Sequence, residues 1–134
     1  MAAANIVLAD AQVAPVNHTF IPMGYDPKGL FWFEDQSQAN AIGYWRISAQ
    51  LIRPAQAVSG QSSEGRTYRV KVALHEPVLA NITNSTVTGV LPAPQLAYTM
   101  RYFTEVPLAE RSALIDRQNI AKMGPLLMQN AQIK

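Results

Sequence analysis

Three runs of strictly alternating residues constrain this chain more than any other feature. Between residues 43 and 53, Trp45, Ile47, Ala49 and Leu51 alternate with Arg46, Ser48 and Gln50. Between 65 and 75, Tyr68, Val70, Val72 and Leu74 alternate with Thr67, Arg69, Lys71 and His75. Between 95 and 106, Leu96, Tyr98, Met100 and Tyr102 alternate with Gln95, Thr99, Arg101 and Glu105. Successive side chains of a strand point to opposite faces, so each run presents one apolar face and one polar face. An antiparallel sheet covered on one side only is the arrangement that accommodates all three.

The rest of the chain supplies the flanks of that sheet. Residues 5–9 and 16–23 are short apolar runs joined through Asp10-Ala-Gln12, which predicts an N-terminal hairpin over 5–23. The stretch Gly24-Tyr-Asp-Pro-Lys-Gly29 is dense in turn formers and introduces a further strand, rich in aromatics, at 30–34. Pro107 suits the first position of a helix, and 108–123 then lacks Gly and Pro, with Leu108, Ala109, Ala113, Ile115, Ile120 and Met123 forming an apolar stripe. Gly124-Pro125 is expected to stop that helix and start a second, 126–133, too short to be stable alone. Residues 81–94, rich in Ser, Thr and Asn, read as a long projecting loop of the kind that is often functional. The class is therefore α+β, in a single domain spanning 1–134, with the sheet over 30–106 and helices over 107–133.

Composition removes most kinds of chemistry. The chain has 134 residues, is 49% hydrophobic and 15% charged, and so is neither disordered nor a polyelectrolyte. At that length about two-thirds of the unfolded surface can be buried. There is no cysteine, which excludes disulfides, thiolate metal sites and a Cys nucleophile. His18 and His75 are far apart in sequence and have no ligand spacing around them, so no metal and no cofactor are expected. Glu34 and Asp35 are adjacent and would face opposite ways in a strand, which disqualifies them as a carboxylate pair. No nucleophile and base can be assembled, and an enzyme with a small-molecule substrate is not expected. No apolar run approaches the roughly 18 residues of a membrane span, and the N-terminus lacks a basic segment, so neither membrane partner nor signal peptide is expected.

Charge is unevenly placed. Residues 1–65 carry three basic groups against five acidic ones, whereas 66–134 carry eight against four. Arg46, Arg69, Lys71 and Arg101 come from three strands yet agree in parity, and Ser48, Gln50 and Thr99 stand among them. With acidic residues scarce in these runs, a basic face interleaved with hydrogen-bonding groups suits phosphate contacts with some base readout. Trp45, Tyr68, Tyr98 and Tyr102 share parity with aliphatic residues and are expected in the core. The parity of Trp32 leaves its role open.

The order of these segments resembles the coat proteins of the single-stranded RNA bacteriophages, the levivirus capsid family. The similar stretches are Val16-Asn-His-Thr-Phe20, Trp45-Arg-Ile-Ser-Ala-Gln-Leu-Ile-Arg-Pro54, Tyr68-Arg-Val-Lys-Val-Ala-Leu74, and Glu110-Arg-Ser-Ala-Leu-Ile115 through Gly124-Pro-Leu-Leu127. The resemblance implies an N-terminal hairpin, a five-stranded antiparallel sheet and two C-terminal helices that cover the partner subunit's sheet in an interlocked homodimer. It further implies that dimers build an icosahedral T=3 shell in the virion, assembled in the bacterial host cytoplasm. The inward sheet face would then bind genomic single-stranded RNA, including a hairpin through which the coat represses the replicase. Carried over by position, RNA binding falls on Arg46, Ser48, Gln50, Arg69 and Lys71, with Thr99 and Arg101 completing the face. The alternative is a dimeric RNA-binding regulator that builds no shell.

Overall fold

The structure, a computed structural model, describes residues 3–80, 92–130 and 132. The expected loop at 81–94 lies outside them, apart from residues 92–94. Six strands follow in order: β1 (Ile6–Ala9), β2 (Asn17–Tyr25), β3 (Phe31–Asp35), β4 (Trp45–Ile52), β5 (Thr67–Leu79) and β6 (Leu96–Ala109). They form one sheet in which every strand neighbours the next in sequence. The expected five-stranded sheet beside a separate hairpin is thus corrected. The hairpin strand β2 continues into the sheet by pairing antiparallel with β3, so all six strands belong to it.

The chain groups into two compact units. The first comprises Met1–Leu51 with Lys71–Glu105, and the second Ile52–Val70 with Val106–Lys134.

In the first unit, carboxylates shape the turns. Asp10 accepts from the amides of Val16 at 2.9 Å and Gln12 at 3.2 Å, closing the β1–β2 connection. Asp26 accepts through Oδ1 from the amides of Lys28 and Leu30, both at 2.9 Å, an Asx turn that begins with Pro27 in sequence. Gly29 completes that turn at φ +80°, a region that L side chains rarely adopt. Asp35 ends β3 buried, only 4% exposed, with its Oδ2 2.6 Å from His18 Nδ1 and its Oδ1 accepting from the Ser37 amide. The His18 ring stacks on Trp45 with centroids 4.3 Å apart. Phe20, two residues along β2 from His18, is 1% exposed, and Ile47 of β4 is also buried at 7%.

The core is thin among the described residues, because much of the expected apolar face is exposed. Leu96, Tyr98, Met100 and Tyr102 all line one face of β6 and are all exposed, Tyr98 at 57%. The expectation of Tyr98 and Tyr102 as core residues therefore fails among the described residues, where both are exposed.

In the second unit, β6 runs to Ala109 where a helix was expected from Pro107. β6 stands last in the sheet order, and at such an edge the missing proline N–H can be tolerated. The period of two also continues, with Thr104, Val106 and Leu108 each more buried than their neighbours. The chain then turns at Glu110–Arg111 into α1 (Leu114–Gln129). Asp116 reaches back to accept from the Ala113 amide at 3.3 Å. Arg66 Nε lies 2.8 Å from Glu110 Oε2, and its Nη2 donates to the Ala55 carbonyl at 2.7 Å. Arg117 donates to the Ser112 hydroxyl at 2.8 Å and the Glu110 carbonyl at 3.0 Å, with its guanidinium 6.0 Å from the Tyr68 ring centre. These contacts hold the turn before α1 against the start of β5.

A single helix replaces the two that were expected, since α1 passes through Gly124 and Pro125. An interior proline costs a hydrogen bond and crowds the preceding turn. Gly124 relieves part of that strain, because it has no Cβ to meet the proline ring. α1 buries none of its residues: Leu114, Ile115, Ile120, Met123, Leu126, Leu127 and Met128 are all exposed. Among the described residues no helix is long and apolar enough to cross a membrane.

Candidate nucleic-acid interface

The register of β3 against β4 builds one side of the polar face. Trp32 pairs with Ser48 and Glu34 with Arg46, so Trp32 and Glu34 join the face of Arg46, Ser48 and Gln50. The remaining members come from Lys71, Ala73 and His75 on β5 and from Thr99, Arg101, Phe103 and Glu105 on β6.

Six of the seven expected RNA-binding residues line two open cavities on this face. Ser48, Gln50 and Lys71 line the first, of about 370 Å³, with Leu30, Phe103 and Glu105. Arg46, Thr99 and Arg101 line the second, of about 310 Å³, with Trp32, Tyr44 and His75. Ser48 is 5% exposed and forms floor rather than rim. Gln50 Nε2 approaches the Lys28 carbonyl at 3.4 Å. Arg69 lies on β5 two residues before Lys71 but lines neither cavity, and it belongs to the second unit.

The scarcity of acidic residues on this face is corrected. Glu34 Oε1 lies 3.0 Å from Arg46 Nε, and Glu105 Oε2 lies 3.8 Å from Lys71 Nζ. Sequence alone excluded Glu34 as half of a carboxylate pair and gave it no partner; the pairing of β3 with β4 puts it opposite a cation. Exposed pairs of this kind contribute about 0–1 kcal/mol, so an arriving phosphate can compete for both cations.

The aromatic members of the face stood outside the expected binding set, although His75 shares the parity of Lys71 and the role of Trp32 was left open. Trp32 is fixed by its indole N–H, which donates to Asp26 Oδ2 at 3.0 Å. That bond, followed by those from the Leu30 and Lys28 amides, holds the Asp26 carboxyl below its ordinary value. His75 lies between two rings, with centroids 5.7 Å from Trp32 and 6.1 Å from Phe103. Burial, then the charges of Arg101 and Arg46, push its imidazole below the usual histidine value. The available signal was the alternation Trp32–Glu34, which becomes legible once β3 is set beside β4.

Elsewhere in the first unit, His18 Nε2 lies 3.6 Å from Asp10 Oδ2 while its Nδ1 holds Asp35. Among the described residues, no group of three His, Cys, Asp or Glu is placed to hold a metal.

Comparisons with known proteins agree with this architecture. The profile of the levivirus coat protein family matches residues 1–133. A solved virus-like particle of bacteriophage ESE058 is similar at 45% identity and a TM-score of 0.87, over 99% of this chain and 92% of that one. A virus-like particle of bacteriophage NT-214 is similar at 25% identity and a TM-score of 0.75, over 98% of this chain and 90% of that one. The capsid protein of bacteriophage GA shares the fold at 18% identity, with a TM-score of 0.63 over 92% of this chain and 83% of that one. No curated protein matches. With the family profile covering nearly every residue, the chain belongs to the levivirus coat protein family, a family of structural capsid subunits.

Proposed function

We propose that this chain forms homodimers that assemble into an icosahedral phage shell, and that it packages single-stranded RNA against the polar face of β4, β5 and β6. The capsid half is supported most by the 45% identity to a solved virus-like particle over almost the whole chain. The RNA half is supported by the convergence of Arg46, Gln50, Lys71, Thr99 and Arg101 around two cavities. Cations and amides gathered on an open sheet face meet phosphates through charge and bases through hydrogen bonds.

Dimerisation follows from the hydrophobic surface that one chain leaves in water. Among the described residues, Leu96, Tyr98, Met100 and Tyr102 and the apolar residues of α1 are exposed. Every 100 Å² of apolar surface removed from water stabilises by about 2.5 kcal/mol, so two subunits that cover each other gain heavily. An interlocked pair of this kind buries more than about 2,000 Å². The virion is then the protein's destination, and the bacterial cytoplasm its place of assembly. Binding of an RNA hairpin on the same face would couple assembly to repression of the replicase.

Ultraviolet cross-linking of the protein to single-stranded RNA, read by peptide mass, tests the interface. Adducts are expected on peptides of β4, β5 and β6. Adducts confined to α1 or to the β1–β2 hairpin would refute the placement.

A further inference from the structure

The second cavity has a composition that charge neutralisation alone does not require. It brings two aromatic rings, Trp32 and His75, together with two guanidinium groups, Arg46 and Arg101, in about 310 Å³. That volume lies at the lower end for small-ligand sites, and suits one nucleotide rather than a helical segment. Trp32 and His75 are half-buried, each keeping part of its ring toward the cavity. A tryptophan serving only as filler would be covered; this one is tethered through its edge to Asp26.

Resting on the reading that this face binds RNA, we infer that the cavity is a nucleotide subsite. The base of one ribonucleotide stacks against Trp32 and His75, and its phosphate meets Arg46 and Arg101. As the phosphate arrives, His75 takes up a proton from solvent and becomes a third cation of the site.

The charged groups around His75 support that coupling. Arg46 faces it from β4 and is paired with Glu34 of β3, and Arg101 faces it from β6. Tyr44 lines the same cavity, while Lys71, on β5 itself, is paired with Glu105 of β6 beside the neighbouring cavity. Asp26 is engaged by the Trp32 indole, and Glu76, the next residue along β5, lines cavities on the other face of the sheet. Without ligand, partial burial and then the two guanidinium charges hold the imidazole below its ordinary value of 6.5. A phosphate reverses the local potential and favours the imidazolium. RNA affinity therefore rises as pH falls from neutrality, and is flat well above it.

The test uses the RNA-free full chain and a single-stranded RNA of about ten nucleotides. If phosphate raises the proton affinity of His75 tenfold, RNA binds tighter near pH 5.5 than near pH 8 at fixed salt, by up to about tenfold. His75→Gln should bring that ratio close to one. Lys71→Ala should weaken binding at both pH values and keep the ratio. A wild-type ratio of one, or a ratio that survives in His75→Gln, overturns the proton uptake. A second readout addresses the base: in Trp45→Phe, Trp32 is the only tryptophan left, and RNA should quench its emission. Unquenched emission at saturating RNA overturns the stacking. A wild-type chain that binds no RNA at either pH refutes the RNA-binding reading itself, an outcome distinct from failure of the subsite alone.

Discussion

Glu34 stands directly opposite Arg46 in the β3–β4 register, its Oε1 3.0 Å from the guanidinium Nε. If RNA phosphates meet this face as proposed, a carboxylate paired with Arg46 competes with them. Glu34→Gln should leave the fold unchanged and tighten RNA binding by up to about fivefold, the equivalent of the 0–1 kcal/mol carried by an exposed pair. A salt titration of binding measures it. Unchanged or weaker binding would show that Glu34 positions Arg46 rather than competing for it.

Lys71 and Gln50 line the same cavity but differ in charge. If Lys71 meets a single-stranded phosphate, Lys71→Ala should reduce the slope of log affinity against log salt by about 0.7. Gln50→Ala removes no charge, so its slope should equal the wild type while preference between a hairpin and a scrambled RNA falls. Equal slopes for Lys71→Ala and the wild type would take Lys71 off the interface.

The Asp35–His18 contact predicts an acid limb in stability. Burial, the largest influence on Asp35, pushes its carboxyl up, but bonds from His18 and Ser37 together outweigh it and leave the value below 3.8. Asp10 is also held below 3.8, first by the Val16 amide. A carboxyl depressed by folding contributes stability that is complete above its unfolded value and is lost as pH falls through the folded one. Denaturant midpoints should therefore decline below about pH 4. Asp35→Asn should cost about 1–3 kcal/mol at neutral pH, because it weakens a buried, charge-assisted bond, and should flatten that decline. A neutral-pH midpoint equal to the wild type would show that the contact does not hold β2 to β3.

Pro125 inside α1 predicts a gain. Pro125→Ala restores a backbone donor and removes the clash with the preceding turn, worth up to about 3 kcal/mol in a helix interior. Thermal unfolding followed by circular dichroism should shift upward. A downward shift would mean that the proline is required where α1 meets its partner.

What could be read in the sequence was what depends on local pattern. Alternation in β4, β5 and β6 located three strands and the parity of Arg46, Lys71 and Arg101, because a period of two needs no knowledge of neighbours. Strand ends were read less well: Pro107 looks like a helix start, and only its place in the last strand of the sheet reveals it as strand. Gly124-Pro125 was read as a break, because both residues disfavour helix interiors, yet α1 runs through them. Glu34, Trp32 and His75, which stood outside the expected binding set, owe their place to pairing across strands or to ring contacts between β3, β5 and β6. The exposed face of Leu96–Tyr102 could not be told from a core face, since alternating apolar residues read the same whether or not their own chain covers them.

Electron microscopy of the full chain purified from expressing bacteria, with nuclease treatment before RNA extraction, tests the central claim most directly. The account predicts closed icosahedral particles holding RNA that survives the nuclease. Dispersed dimers, or closed shells from which no protected RNA can be recovered, would contradict it.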